Sequence, residues 1–306
     1  MARKSLKSII FIVCLLTIFS CVFQLLEKHK MHENDTMNCN IFNTSLQKQT
    51  EVTVPVLMFH HLSDTVENPW ALTPDTFERD LRLLQEQQYK PISMKQLVDF
   101  VYQGKALPGK PVCITFDDGY ESNYTIAYPL LKKYHMKATI FAIGSYFGRT
   151  TYKNTNQSIH PHFSYAQAVE MMHSGLIDVQ SHTYDMHQSA QFEQRHPVRE
   201  NILPLATESN RQYQQDLYAD SQAYQKEYRK HTGKTLYVLA YPKGAYTPYT
   251  EQIVHKLGYA ITFTTNSKKV NRVVQKDPTS LYALGRLSVS EAVTKEELLK
   301  YLQQKF

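Results

Sequence analysis

The chain has 306 residues, 42% of them hydrophobic, so it can bury a substantial core as one large α/β domain or two smaller ones. Its formal net charge of +6 is partly concentrated at the N-terminus and includes no long Lys/Arg block, which argues against nucleic-acid binding. The four cysteines, two of them in an apolar leader (Cys14, Cys21), form neither a disulfide framework nor a zinc-ligand pattern, so any metal here must use His and carboxylate.

Residues 1–7 carry Arg3, Lys4 and Lys7, and residues 8–26 hold no charge in a largely apolar run. As a helix rising 1.5 Å per residue, that run covers roughly the hydrocarbon thickness of a bilayer. The positive-inside rule then places residues 1–7 in the cytoplasm and everything after the run outside. No small-x-small cleavage site follows, so an uncleaved single-pass membrane anchor is expected; a cleaved leader and a secreted or wall-associated product is the alternative. Residues 27–51 are polar with little periodicity and read as a stalk, leaving 52–306 as the folded domain.

From residue 52 onward strand and helix signals alternate. Residues 54–59 form a strand candidate, Thr73–Pro74 starts a helix, and Ser93 caps another that Gly104 closes. The run 112–116 is apolar and β-rich and stops at Asp117–Asp118–Gly119–Tyr120, where glycine lets the backbone turn sharply. Helix 123–134, strand 138–143, helix 164–174, strand 176–180, a long polar helix 209–230 and strand 236–240 follow. Helix 248–257, strands 260–264 and 286–289 and a terminal helix 294–303 complete the reading. Such alternation argues a parallel sheet, and about seven strands favour an incomplete barrel.

Four of these strands end in polar chemistry: His60–His61, Asp117–Asp118, Ser181–His182 and Tyr241–Pro242–Lys243–Gly244. In β/α barrels the loops at the carboxyl ends of the strands converge on one face, so these clusters should meet. Adjacent carboxylates repel, and a fold tolerates them most readily where a cation or a proton transfer uses them. His182 and His187 are five residues apart, which on a helix diverges by about 140°, so two ligands here need a loop. With one carboxylate they make a two-His, one-Asp set that leaves positions open for water. His160, His162, His173, His231 and His255 lack such context and read as surface or structural.

Thr115–Phe116–Asp117–Asp118–Gly119, the His-Thr-x-x-x-His segment from His182 to His187 and the Tyr241–Gly244 turn resemble the polysaccharide deacetylases of the NodB-homology type, carbohydrate esterase family 4. The five-residue His spacing and the N-terminal His60 motif are most similar to the subgroup that de-N-acetylates poly-β-1,6-N-acetylglucosamine in biofilms. The resemblance covers residue 54 to the C-terminus. It implies an incomplete (β/α)7-type barrel, Asp118, His182 and His187 as metal ligands, Asp117 as general base and His60 as proton donor. His61 is expected to point the other way, since neighbours in extended chain face opposite sides.

The implied cofactor is one divalent ion, zinc first, with nickel, cobalt or iron also compatible with the ligands. The Tyr120 backbone N–H is the expected oxyanion donor, and Tyr241, Pro242 and Gly244 are expected to shape the substrate groove. The family's base-orienting arginine is missing from the Tyr241–Gly244 turn, leaving Lys243 or Arg286 to replace it. A monomer acting on an N-acetylglucosamine polymer beside export machinery is the implied setting. Peptidoglycan or a chitin-like oligomer is the alternative substrate, and an inert wall-polymer-binding barrel the non-enzymatic alternative.

Overall fold

The computed structural model describes residues 50–303 other than Glu67 and Arg195. The expected cytoplasmic segment 1–7, the anchor 8–26 and all but the end of the stalk lie outside the described residues. No helix among the described residues is long and apolar enough to cross a membrane.

The strands are β1 (Glu51–Thr53), β2 (Val56–Phe59), β3 (Lys90–Pro91), β4 (Pro111–Asp118), β5 (Ala138–Ala142), β6 (Ile177–Ser181), β7 (Val238–Ala240), β8 (Ile261–Phe263), β9 (Arg272–Val274) and β10 (Leu287–Ser288). The main sheet is parallel in the order β10-β2-β4-β5-β6-β7-β8, with β3 beside the start of β4. It curls into an incomplete barrel whose edges approach through residues 284–288. Leu284 bridges Phe263 of β8, while Leu287 and Ser288 pair with Leu57 and Met58 of β2. The antiparallel pair β1–β9 and the short β3 are not anticipated by the sequence patterns.

The helices are α1 (Pro74–Glu86), α2 (Met94–Gln103), α3 (Tyr128–Lys133, continuing a π turn over Asn123–Ala127), α4 (Tyr165–His173), α5 (Asn210–Thr232), α6 (Pro248–Lys256) and α7 (Lys295–Leu302). Their starts follow local chemistry: Thr73, Ser93, Ser164, Ser209, Thr247 and Thr294 each accept a first-turn backbone N–H on the side-chain oxygen. Pro at the first turn of α1 and α6 loses nothing, because those N–H groups have no helical partner anyway.

Strand alternation divides the core in two. Val112, Ile114 and Phe116 of β4 join Leu57, Phe59 and Ile140 against the helices. Cys113 joins Val56, Phe141, Val238, Ala240 and Phe263 in the second cluster, inside the curl. By the same parity Thr115 and Asp117 belong to the inner face, so the last acid of the inner row sits at the top of the barrel interior.

Candidate active site

Asp117 is buried and paired bidentately with Arg286: Nη1 donates to Oδ1 at 2.6 Å and Nη2 to Oδ2 at 2.8 Å. Arg286 is fully buried, donates from Nε to the Thr264 carbonyl at 3.3 Å, and lies over the rings of Phe141 and Phe263. A guanidinium fork suits a carboxylate in a way that no ammonium can. Of the two cations left open by the sequence, Arg286 is therefore the one on Asp117. Lys243 does not orient it, because its Nζ pairs with Glu200 at 2.9 Å. Burial alone would raise the Asp117 carboxyl, but the Arg286 charge, then His182, hold it well below the usual carboxylate range.

Asp118 departs from strand geometry. Its φ is 70°, in the left-handed region that a non-glycine residue rarely occupies, and Gly119 follows at 83°. The turn thus begins one residue earlier than the glycine alone suggests, and it swings Asp118 onto the side that Asp117 already faces. Its Oδ1 is buried with no hydrogen-bond partner, and His182 Nε2 and His187 Nε2 each stand 3.6 Å from it.

Both histidines are held by their other ring nitrogen. His182 Nδ1 lies 2.8 Å from the Ala240 carbonyl, and His187 Nδ1 lies 3.0 Å from the Glu200 carbonyl. A carbonyl only accepts, so each Nδ1 carries a proton and Nε2 is the nitrogen turned toward Asp118. Burial pushes His182 down to about 4, keeping its ring neutral. The three ligand atoms lie within 4.8 Å of one another. Ligands about 2.0–2.2 Å from one ion at tetrahedral angles lie about 3.3–3.6 Å apart, so the set fits a divalent ion after small closure.

The end of β5 couples the two ligand loops. Ile143 N–H donates to the Asp118 carbonyl, Gly144 N–H to the Thr183 carbonyl, and the Ala142 carbonyl accepts from His182 N–H. Thr183, like Asp118, is left-handed, at φ 69°. Two strained residues beside the ligands are a mark of a site the surrounding structure over-determines.

His60 follows β2 and is near enough for its charge to bear on both Asp117 and Asp118. Its Nδ1 has no hydrogen-bond partner. His61 turns the other way, with Nδ1 2.9 Å from Ser122 Oγ and its ring against Tyr120 and His160. Tyr120 pairs with His162 through the Glu121 N–H and the Gly119 carbonyl, a bridge that does not use the Tyr120 N–H.

A cleft of about 770 Å³ opens over Asp118 and His187, walled by Tyr120, Tyr146, His160, His162 and Phe192, with Lys243 at its edge. This corrects two expectations. Tyr241 is fully buried, its ring stacked under Tyr246, and Pro242 is buried; with Gly244 they lie outside the cleft lining and do not shape it. Gly244 instead allows close packing, since a Cβ there would collide with Thr265 Oγ1. Conversely, His160 and His162 line the cleft rather than serving elsewhere, and His162 is buried with neither ring nitrogen hydrogen-bonded. The local signal available was the His160–Pro161–His162 triplet, but its contact with Tyr120 is long-range and unmarked in the sequence.

A carboxylate and two imidazoles converge at the carboxyl end of the curled sheet beside an arginine-held second carboxylate, an arrangement suited to metal-assisted hydrolysis. The polysaccharide deacetylase family matches residues 104–262, and the chain belongs to that family, whose members are carbohydrate N-deacetylases. It is 31% identical over 250 residues, 82% of this chain and 76% of the relative, to the Bacillus subtilis (strain 168) protein named "Putative polysaccharide deacetylase YxkH". It is 28% identical over 214 residues, 70% of this chain and 67% of the relative, to the poly-beta-1,6-N-acetyl-D-glucosamine N-deacetylase of Staphylococcus aureus (strain MRSA252). A solved de-N-acetylase from Aggregatibacter actinomycetemcomitans superposes with a TM-score of 0.70 at 23% identity, over 82% of this chain and 100% of that one, a likeness of fold.

Proposed function

We propose that this enzyme removes N-acetyl groups from extracellular poly-β-1,6-N-acetylglucosamine, using a divalent ion held by Asp118, His182 and His187 and releasing acetate. The observation that carries the reading is the pairing of that convergent ligand set with Asp117, a carboxylate clamped beside it by Arg286. The substrate assignment is supported by the name of the staphylococcal relative. When bound, the ion supplies a Lewis acid that acidifies water and polarises the acetamide carbonyl. Asp117, kept anionic by Arg286, takes a proton from the attacking water. The Tyr120 N–H stabilises charge on the former carbonyl oxygen. His60, as imidazolium, protonates the amine nitrogen as the C–N bond breaks, leaving acetate and a glucosamine unit.

The test is acetate release by the full chain from defined β-1,6-linked, β-1,4-linked and muropeptide substrates. Preference for the second or third would move the assignment to a chitin-like polymer or peptidoglycan. Asp117→Asn should keep its metal and lose about 10²-fold or more in turnover, the scale of a general base. Asp118→Asn should lose metal and activity together, with partial rescue by excess ion. Asn tolerates the left-handed region, so that variant probes ligation rather than backbone strain. Reversed outcomes would exchange the two roles.

We also propose that residues 8–26 anchor the protein with its domain outside the cell, the reading supported by the uncharged run and by Arg3, Lys4 and Lys7 before it. The protein should then stay with membranes through a high-salt wash, and recovery of a shortened soluble form would show cleavage instead.

A further inference from the structure

Trp70 is the single tryptophan of the chain and is 56% exposed. Its ring packs against His60, with centroids 5.7 Å apart and planes at 43°. The loop that carries it is fixed at both ends. Ser63 N–H donates to the Leu72 carbonyl and Leu72 N–H to the His61 carbonyl, closing the loop directly after the two histidines. Within it, Trp70 N–H donates to Asn68 Oδ1 at 2.9 Å and Ala71 N–H to the Asn68 carbonyl. At its exit, Glu291 accepts from Thr73 N–H at 2.9 Å and from Thr76 Oγ1 at 2.7 Å. Trp70 is therefore an exposed aromatic on a braced loop, touching the residue assigned to protonate the leaving amine.

The large cleft over Asp118 and His187 does not include His60 or Trp70. His61 faces the wall of that cleft, on Tyr120 and His160, while His60 turns onto Trp70. A polymer whose reacting unit sits over Asp118 and whose departing amine faces His60 would bring a neighbouring unit over Trp70. The face of a pyranose ring is a patch of C–H groups rimmed by hydroxyls, and the negative face of an indole attracts such C–H groups while shedding water.

We propose that Trp70 is the stacking platform of a sugar subsite next to the reacting residue, binding a neighbouring amino-sugar ring of the polymer. The subsite rests on the deacetylase reading above. It accounts for both the exposure of the ring and the bracing of its loop, because a pre-set aromatic binds without ordering cost.

Two measurements on the full-length protein test it. In steady-state acetate release from β-1,6-linked N-acetylglucosamine oligomers, Trp70→Ala should raise KM about 10-fold, and Trp70→Phe, which keeps an aromatic ring against His60, should raise it less with kcat within about 2-fold, the size expected of one aromatic contact plus its area. Because Trp70 is the sole tryptophan, emission reports on this position alone. Titrating the full-length Asp117→Asn variant with the same oligomers should shift its emission saturably, whereas the monosaccharide, which fills only the reacting position, should not. Unchanged KM in Trp70→Ala while the wild type releases acetate overturns the platform and leaves the deacetylase reading standing. Emission that answers to phospholipid vesicles and not to oligomers overturns it in favour of a bilayer contact. Absence of acetate release by the wild type from every amino-sugar oligomer removes the deacetylase reading and the subsite with it.

Discussion

Arg286 grips Asp117 through two parallel hydrogen bonds of 2.6 and 2.8 Å while itself fully buried over two phenylalanine rings. The pair spans the barrel: Asp117 is the penultimate residue of β4, and Arg286 lies in the segment that brings the sheet's two edges together. The closing segment thus also sets the direction of the Asp117 carboxylate, the proposed base. Arg286→Lys keeps the charge but loses the fork, so turnover should fall by about 10-fold or more with metal content unchanged. The sign of the pH effect follows from the forces on Asp117. Burial raises its carboxyl and Arg286 opposes that, so loosening the clamp raises the pKa. The acid limb of the kcat/KM profile should move to higher pH, and a profile identical to the wild type would deny Arg286 this positioning role.

The two histidines of the proposed ligand set are each held by a backbone carbonyl, His182 by Ala240 and His187 by Glu200. Such outer partners fix the tautomer and ring direction of an imidazole that holds a metal. A chelator should abolish acetate release, and a first-row divalent ion should restore it. Added ion should raise the melting temperature of the wild type by linkage, and His182→Ala should bind about 10-fold or more less metal and lose most of that rise. An equal thermal shift in the variant would remove His182 from the ligand set.

How much of this site can be read along the chain depends on how local each contact is. The Asp117–Asp118–Gly119 turn and the His182–His187 spacing are short-range patterns, and each sits at a strand end where the fold brings it inward. The Tyr241–Gly244 turn falls at the right place but serves through its neighbour: the Ala240 carbonyl holds His182, while the Tyr241 side chain is buried. Arg286 and Lys243 are indistinguishable as cations in sequence, and only the bridge across the barrel edges separates them. His162 reaches the cleft by an antiparallel bridge to Tyr120, and β1 pairs with β9 across the whole domain, long-range contacts with no periodic signature.

Asp220 is a further case of distance in sequence. On α5, among Tyr and Gln, it has no motif around it. Yet its carboxylate accepts the Tyr184 N–H at 2.9 Å and the Asp185 N–H at 2.8 Å, holding the loop between the two histidines. Asp220→Asn presents an NH2 group to one of those N–H donors, so metal affinity should fall by about 10-fold although no ligand is altered. Burial raises Asp220 to about 6. The folded chain then holds this proton more tightly than the unfolded chain, so the group's contribution to stability is full at low pH and is lost as pH rises from about 4 through 6. The stability advantage of wild type over Asp220→Asn, taken from urea unfolding without metal, should be larger at pH 4.5 than at pH 7. A gap that widens with pH would reverse the sign of this argument.

The turn at Asp118–Gly119 rests on packing as well as on backbone freedom. Gly119 has φ 83°, and a Cβ there would lie 2.9 Å from Ala142 Cβ and 3.2 Å from Ala142 Cα. Ala142 is also the residue whose carbonyl accepts from His182 N–H and from the Tyr224 hydroxyl at 2.8 Å, so any push on it is passed to the second ligand loop. Gly119→Ala should therefore cost about 2–5 kcal/mol, combining left-handed strain of about 1–2 with overpacking of about 1–3. Metal affinity should fall with it, because both Asp118 and His182 are displaced. Adding Ala142→Gly removes the Cβ contact but not the strain in φ, so the double variant should recover part of the stability lost in the single one. Comparing the two single variants and the double one by urea unfolding measures that coupling. If the double variant were no more stable than Gly119→Ala alone, steric contact with Ala142 would not be what holds this turn, and the strain in φ would carry the whole cost.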